Sequence, residues 1–279
     1  MPSSQESRIA ALPAHLQEAL RRRLAGRAQR FDPIPPADRS QPLPLSFSQQ
    51  RLWFLNKLQP GGTEYNSGIA LRLRGRLHIP ALTTAVQSLV ARHESLRTTF
   101  EEVDGKGTQV VHPVVELAVP VVELPAGTAT TDAELDAVLS VEHRRPFDLQ
   151  RGPLFRALLV HLAGSDNGDG GRIAGSAGSG EHVLLLAAHH IVTDGASMDV
   201  LVEELAELYS ACRQGATDQP HTADLPALPV QYADFASWQR NRLSGPALDT
   251  ALDYWARQLS GIVPLELPTD RPRPAMRTS

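Results

Sequence analysis

Two adjacent histidines, His189 and His190, followed closely by Asp194 and Gly195, are the residues of this sequence best placed to do chemistry. Imidazole titrates near neutrality, so it can take up, give up or guide a proton. The pair follows the apolar run Val183–Leu186 and precedes a helix-like segment. That puts it at the carboxyl end of an expected strand, where α/β enzymes place their chemistry. Neighbouring strand residues point to opposite faces, so one histidine faces a substrate and the other faces the protein. Asp194 lies on the turn, within reach of backbone or an arginine. Diverging histidines do not share a metal, and His143, His161 and His182 lack ligand spacing, so no metal is expected. Ser46 and Ser48 lack the strand-to-helix turn of a serine hydrolase. There is no phosphate loop and no dinucleotide glycine pattern, so neither ATP nor NAD is implied. Cys212 reads as a small helix residue.

The elements around this loop alternate in period. Ser48–Leu58 reads as a helix with Leu52, Leu55 and Leu58 on one side. Ile69, Leu71 and Leu73 alternate with polar or small residues, as in a half-buried strand. Pro80 opens a helix with an apolar stripe of Leu82, Val86, Leu89 and Val90. Thr99–Glu102 and Gly107–His112 read as a hairpin around Asp104 and Gly105. Thr131 with Glu134 is a capping box for a helix to about Arg144. A turn from Pro146 to Leu154 leads into a strand at Phe155–Leu162. Gly164–Glu181, rich in Gly, Ser, Asp and Asn, reads as a surface loop. Met198, Leu201, Leu205, Leu208 and Tyr209 mark a helix after the histidines, with Asp194 and Ser197 available as caps. Gly215–Pro229 is a loop. Tyr232, Phe235 and Trp238, then Leu248, Leu252, Trp255 and Leu259, give two more apolar helix faces. The expected fold is α/β, with helices packed on a mixed β-sheet.

The sequence has 279 residues, 42% hydrophobic and 21% charged, with a net charge of -4. Those values are ordinary for a globular protein and point to neither nucleic acid nor membrane partners. A single cysteine, no signal-like N-terminus and no membrane-length apolar run lead to an expected cytoplasmic location. Residues 1–41 read as a helix (Ile9, Leu12, Leu16, Leu20, Leu24) and a proline-bearing linker. This unit either packs on the domain or docks another polypeptide that lies upstream.

The motifs LSFSQQRLWFL at Leu45–Leu55, RHESLRTTF at Arg92–Phe100, HHIVTDG at His189–Gly195 and YADFASWQ at Tyr232–Gln239 occur in that order. Together they resemble four motifs of the condensation domains of non-ribosomal peptide synthetases, members of the chloramphenicol acetyltransferase-like superfamily. The resemblance runs from about Pro42 onward. It implies that residues 42–263 form the N-terminal lobe of a two-lobed fold. It also implies that residues 264–279 are a proline-rich crossover toward a second lobe, so the sequence reads as a truncated half-domain. The implied activity joins an acyl or peptidyl thioester on one carrier protein to an aminoacyl acceptor on another. Both substrates would ride on phosphopantetheine, with no cofactor bound by the domain itself, and an adenylation domain would follow downstream.

By the same resemblance, His190 faces the substrate tunnel, as a base or as a positioning group for the amine, and His189 faces inward. Asp194 would hold the motif by an ion pair to Arg92, with Arg97 as the other candidate. Gly195 would let backbone approach the substrate arm. The family often has tryptophan next, and Ala196 here takes bulk out of the active-site wall. Both histidines are kept, unlike in heterocyclisation domains. Epimerisation, ester formation and a non-catalytic recruiting role are the alternatives, although recruiting relatives usually lose part of the histidine motif.

Overall fold

The computed structural model describes residues 33–124, 132–162, 179–214, 225–263, 265, 267–268 and 270–271. The expected N-terminal helix, most of the expected Gly164–Glu181 loop, Thr131 with its expected cap, and most of the expected Gly215–Pro229 loop lie outside them. In chain order the elements are β1 (Leu43–Pro44), α1 (Phe47–Leu58), β2 (Asn66–Arg76), α2 (Ile79–Arg92) and a 3-10 turn (Glu94–Arg97). Then come β3 (Thr98–Val103), β4 (Lys106–Val111), β5 (Val121–Leu124), α3 (Asp132–His143), β6 (Phe155–Leu162) and β7 (Ser179–His189). Helices α4 (Gly195–Gln214), α5 (Tyr232–Arg242) and α6 (Gly245–Gln258) follow.

The strands form two sheets rather than the single one expected. A four-stranded sheet has the order β2-β7-β6-β5, and a three-stranded one the order β1-β4-β3. In the larger sheet β2, β7 and β6 are antiparallel, while β5 joins β6 in parallel, so this sheet is mixed. The alternation read at Ile69, Leu71 and Leu73 is present in β2, whose intervening residues are exposed. Strands β6 and β7 are instead buried on both faces, which explains their unbroken apolar runs. Helix α2 packs on α4, and α3 on β2 and β7. The β3–β4 turn puts Asp104 at φ 52° and Gly105 at φ 75°, a pair of left-handed residues that suits a tight hairpin.

Two helix faces differ from expectation. In α5 the buried residues are Ala233, Asp234 and Ala236, because that side lies against β1 and the 3-10 turn. The rings of Tyr232, Phe235 and Trp238 stack along its more open side. In α6 no residue is buried, and Leu252, Trp255 and Leu259 face outward. Among the described residues, no helix is long and apolar enough to cross a membrane.

Candidate active site

β7 ends at His189, and the next residues turn away from the sheet. The two histidines diverge as the strand argument requires. His189 is 2% exposed, whereas His190 is exposed at the mouth of the turn. The His190 N–H donates to the Tyr65 carbonyl (2.8 Å), which pins the turn to the chain entering β2. The His189 carbonyl accepts from the Val192 N–H (3.0 Å), and His189 Nδ1 accepts from the Ile191 N–H (3.1 Å). The His189 ring lies between Tyr65 and Phe147, at centroid distances of 6.4 and 6.2 Å. Burial, and secondarily the neighbouring charge of His190, pushes its pKa from 6.5 down to about 4. His189 is therefore neutral at physiological pH.

Asp194 caps α4. Its Oδ1 accepts from the Ser197 N–H (2.8 Å) and hydroxyl (2.5 Å), while its own N–H donates to Ser197 Oγ (3.2 Å). These bonds, the hydroxyl first, hold the carboxyl below its ordinary range. The expected ion pair to Arg92 or Arg97 is not formed. Arg92 Nε donates to both carboxylate oxygens of Glu204 at 3.1 Å, and its Nη2 donates to the Pro226 carbonyl (2.7 Å). Arg97 donates to the His112 carbonyl, and its buried Nε has no partner among the described residues. Both arginines thus have nearer acceptors, and Asp194 turns toward its own helix. Gly195 has no left-handed backbone requirement, and a Cβ there would meet nothing within 4 Å. The space beside it is open.

Hydrogen bonds knit the four motifs together. Ser46 and Gln49 form a reciprocal cap on α1. The buried Gln49 Nε2 donates to Gln109 Oε1 (3.1 Å) and reaches the Ile191 carbonyl (3.4 Å), so the first motif supports the histidine turn. Ser46 Oγ meets the Tyr232 hydroxyl at 3.0 Å. Gln231 accepts from the Glu94 N–H (3.0 Å) and donates to the Arg92 carbonyl (2.9 Å), tying the start of α5 to the second motif. Arg39 bridges Glu94 and Asp234, both at 2.6 Å.

Several contributors carried no signal in the sequence. Glu204 also receives His93 Nε2 (2.6 Å), and it lies on a helix whose apolar spacing says nothing of its partner. Tyr65 supports the turn through a carbonyl, which any residue could supply. Phe147 belongs to the turn noted before β6, yet only the fold brings it to His189. The buried Arg156 guanidinium covers its ring at 3.7 Å. Two cavities flank the site. One of about 330 Å³ is walled by Leu55, Leu58, Tyr65 and His189 among others. The other, of about 340 Å³, is bordered by His93, Thr193, Asp194 and Ala196.

Residues 39–279 match the family model of the Condensation domain. The chain belongs to that family. Curated relatives include a linear gramicidin synthase of Brevibacillus parabrevis, 45% identical over 254 residues, covering 90% of this chain and 3% of that protein. Cyclosporin synthetase of Tolypocladium inflatum is 42% identical over 246 residues, covering 88% of this chain and 2% of that protein. Among solved structures, the X-domain in complex with OxyB from teicoplanin biosynthesis is 31% identical at a TM-score of 0.71. That likeness covers 88% of this chain and 49% of that one. The starter condensation domain of the rhizomide synthetase shares the fold at a TM-score of 0.65 and 20% identity, covering 80% of this chain and 49% of that one. This Condensation chain therefore spans about half of the solved chains and a few per cent of the synthetases it matches.

Proposed function

We propose that this chain supplies the histidine-bearing lobe, residues 42–263, of a domain that forms amide bonds between carrier-bound substrates. The observation that carries this reading is the exposed His190 imidazole at the end of β7, on a turn braced by Gln49 of the first motif and by the Tyr65 carbonyl. The donor is an acyl or peptidyl thioester and the acceptor an aminoacyl thioester, each on the phosphopantetheine of a carrier protein. An adenylation domain is the expected neighbour. The acceptor amine adds to the thioester carbonyl, the C–N bond forms and the C–S bond breaks. The thiolate leaves and takes up the proton that the nitrogen loses. His190 orients the neutral amine and stands ready to receive that proton. His189 and the Asp194 cap hold the turn, and the open space at Gly195 leaves room for the substrate arm.

The test is His190→Ala in the synthetase that carries this chain, with both carriers loaded. Amide product, read by mass spectrometry in single turnover, should fall by about 100-fold or more, within the range general acid–base groups contribute. Normal product formation would exclude the role. A recruiting module is the second reading, favoured by the likeness to the teicoplanin X-domain found with OxyB. It would show as unchanged chemistry in His190→Ala together with capture of a partner enzyme.

A further inference from the structure

We propose that the buried His189 presents its Nε2–H as a fixed donor to an amide carbonyl of an extended chain lying in the 330 Å³ cavity beside it. The tautomer follows from geometry. Nδ1 accepts the Ile191 N–H at 3.1 Å, so the single proton of the neutral ring sits on Nε2. Tyr65 and Phe147 on either side hold the ring in this orientation. Its depressed pKa agrees with a ring that stays neutral.

Among the described residues Nε2 has no hydrogen-bond partner, and His189 forms part of the cavity wall. Nε2 is not sealed among the buried unpartnered atoms, so this donor, held in one tautomer, is open to an acceptor on a ligand. The walls set the chemistry of that ligand. Leu55, Leu58 and the Tyr65 ring give apolar flanks, and Asn56 and Gln59 add side-chain amides. Glu64 already accepts from Gln59 Nε2 (3.1 Å), and its carboxylate disfavours an anion. A neutral amide with methylenes on either side satisfies all of these walls, whereas a phosphate or carboxylate does not. The volume suits a segment of such a chain. Tyr65 lines the cavity and also accepts the His190 N–H through its carbonyl, so the bound chain would lie one residue from the exposed imidazole.

Two sources share this chemistry: the pantetheine arm and the backbone of a peptidyl substrate. Naming these two rests on the proposed function, whereas the donor and its cavity do not. The experiment is a titration of the full 279-residue chain, labelled with ¹⁵N-histidine, using pantetheine in one arm and N-acetyl-alanyl-alanine amide in the other. His189 should show the Nε2-protonated tautomer, and at least one arm should shift that Nε2–H signal. The arm that does so identifies the source. His189→Asn keeps an acceptor for the Ile191 N–H and removes the distal donor, so saturable binding of that ligand should be lost. His189→Gln restores a donor near the Nε2 position and should recover it. A proton on Nδ1, silence in both arms, or undiminished binding to His189→Asn would overturn the proposal. Normal turnover by His190→Ala would sink the catalytic reading but leave this titration unmoved, so the two failures are distinguishable.

Discussion

At the scale of single residues, the two histidines are chemically opposite groups although they are neighbours in the chain. His190 meets solvent. His189 is neutral because protonating it inside the fold would strand a charge between Tyr65 and Phe147, with His190 close by. Stability therefore depends on pH in a definite sense. The folded pKa of about 4 lies below the ordinary 6.5, so the unfolded chain takes up this proton first as pH falls. Stability is fully present above pH 6.5, declines through the window, and its loss is complete below pH 4, at a cost of about 3 kcal/mol. Urea unfolding at pH 7 and at pH 4 should show that extra loss in the parent and not in His189→Asn. Equal losses in both would contradict it. The opposite facing of the pair was legible because strand geometry alone dictates it. The role of Asp194 was only half legible, since both a cap with Ser197 and an arginine pair were open to it. A carboxylate on a turn has both a helix N-terminus and distant arginines to choose from, and only the fold shows that Ser197 is nearer than Arg92.

Among the elements, helix α4 is held at two places of unequal weight. Asp194 caps its first turn in the open. Glu204, two to three turns on, joins it to the end of α2 through Arg92 and His93, with both carboxylate and guanidinium largely sheltered. Removing a cap costs about 1 kcal/mol, whereas breaking one side of a sheltered ion pair costs about 3 kcal/mol. Arg92→Ala should therefore destabilise more than Asp194→Ala, and equilibrium unfolding decides between this order and its reverse. The family resemblance pointed elsewhere, to an ion pair between Asp194 and Arg92 or Arg97. Helix and strand types were legible wherever a period was carried through, as in β2 and α2. β1, with two residues, and β5, with four, are too short to carry one. The faces of α5 were misjudged for a related reason. Aromatic rings at helical spacing signalled burial, yet small residues and the capping Asp234 fill the close contact with β1 and the 3-10 turn.

The molecule as a whole has a sealed core and several large apolar side chains left exposed. The central strands are sealed, whereas His190 and the apolar stripe of α6 lie open, followed by exposed Ile262, Val263, Leu265 and Leu267. The solved chains with this fold are about twice as long as the part matched here. For the proposed reaction between two tethered substrates, rate comes largely from holding amine and carbonyl in line and away from water, which an imidazole open to solvent does poorly. Residues 1–279 alone, given both loaded carriers, should therefore turn over at least about 100-fold more slowly than the same lobe within its synthetase. Mass spectrometry of the amide product measures the ratio. Comparable rates would mean that the exposed imidazole needs no opposing wall.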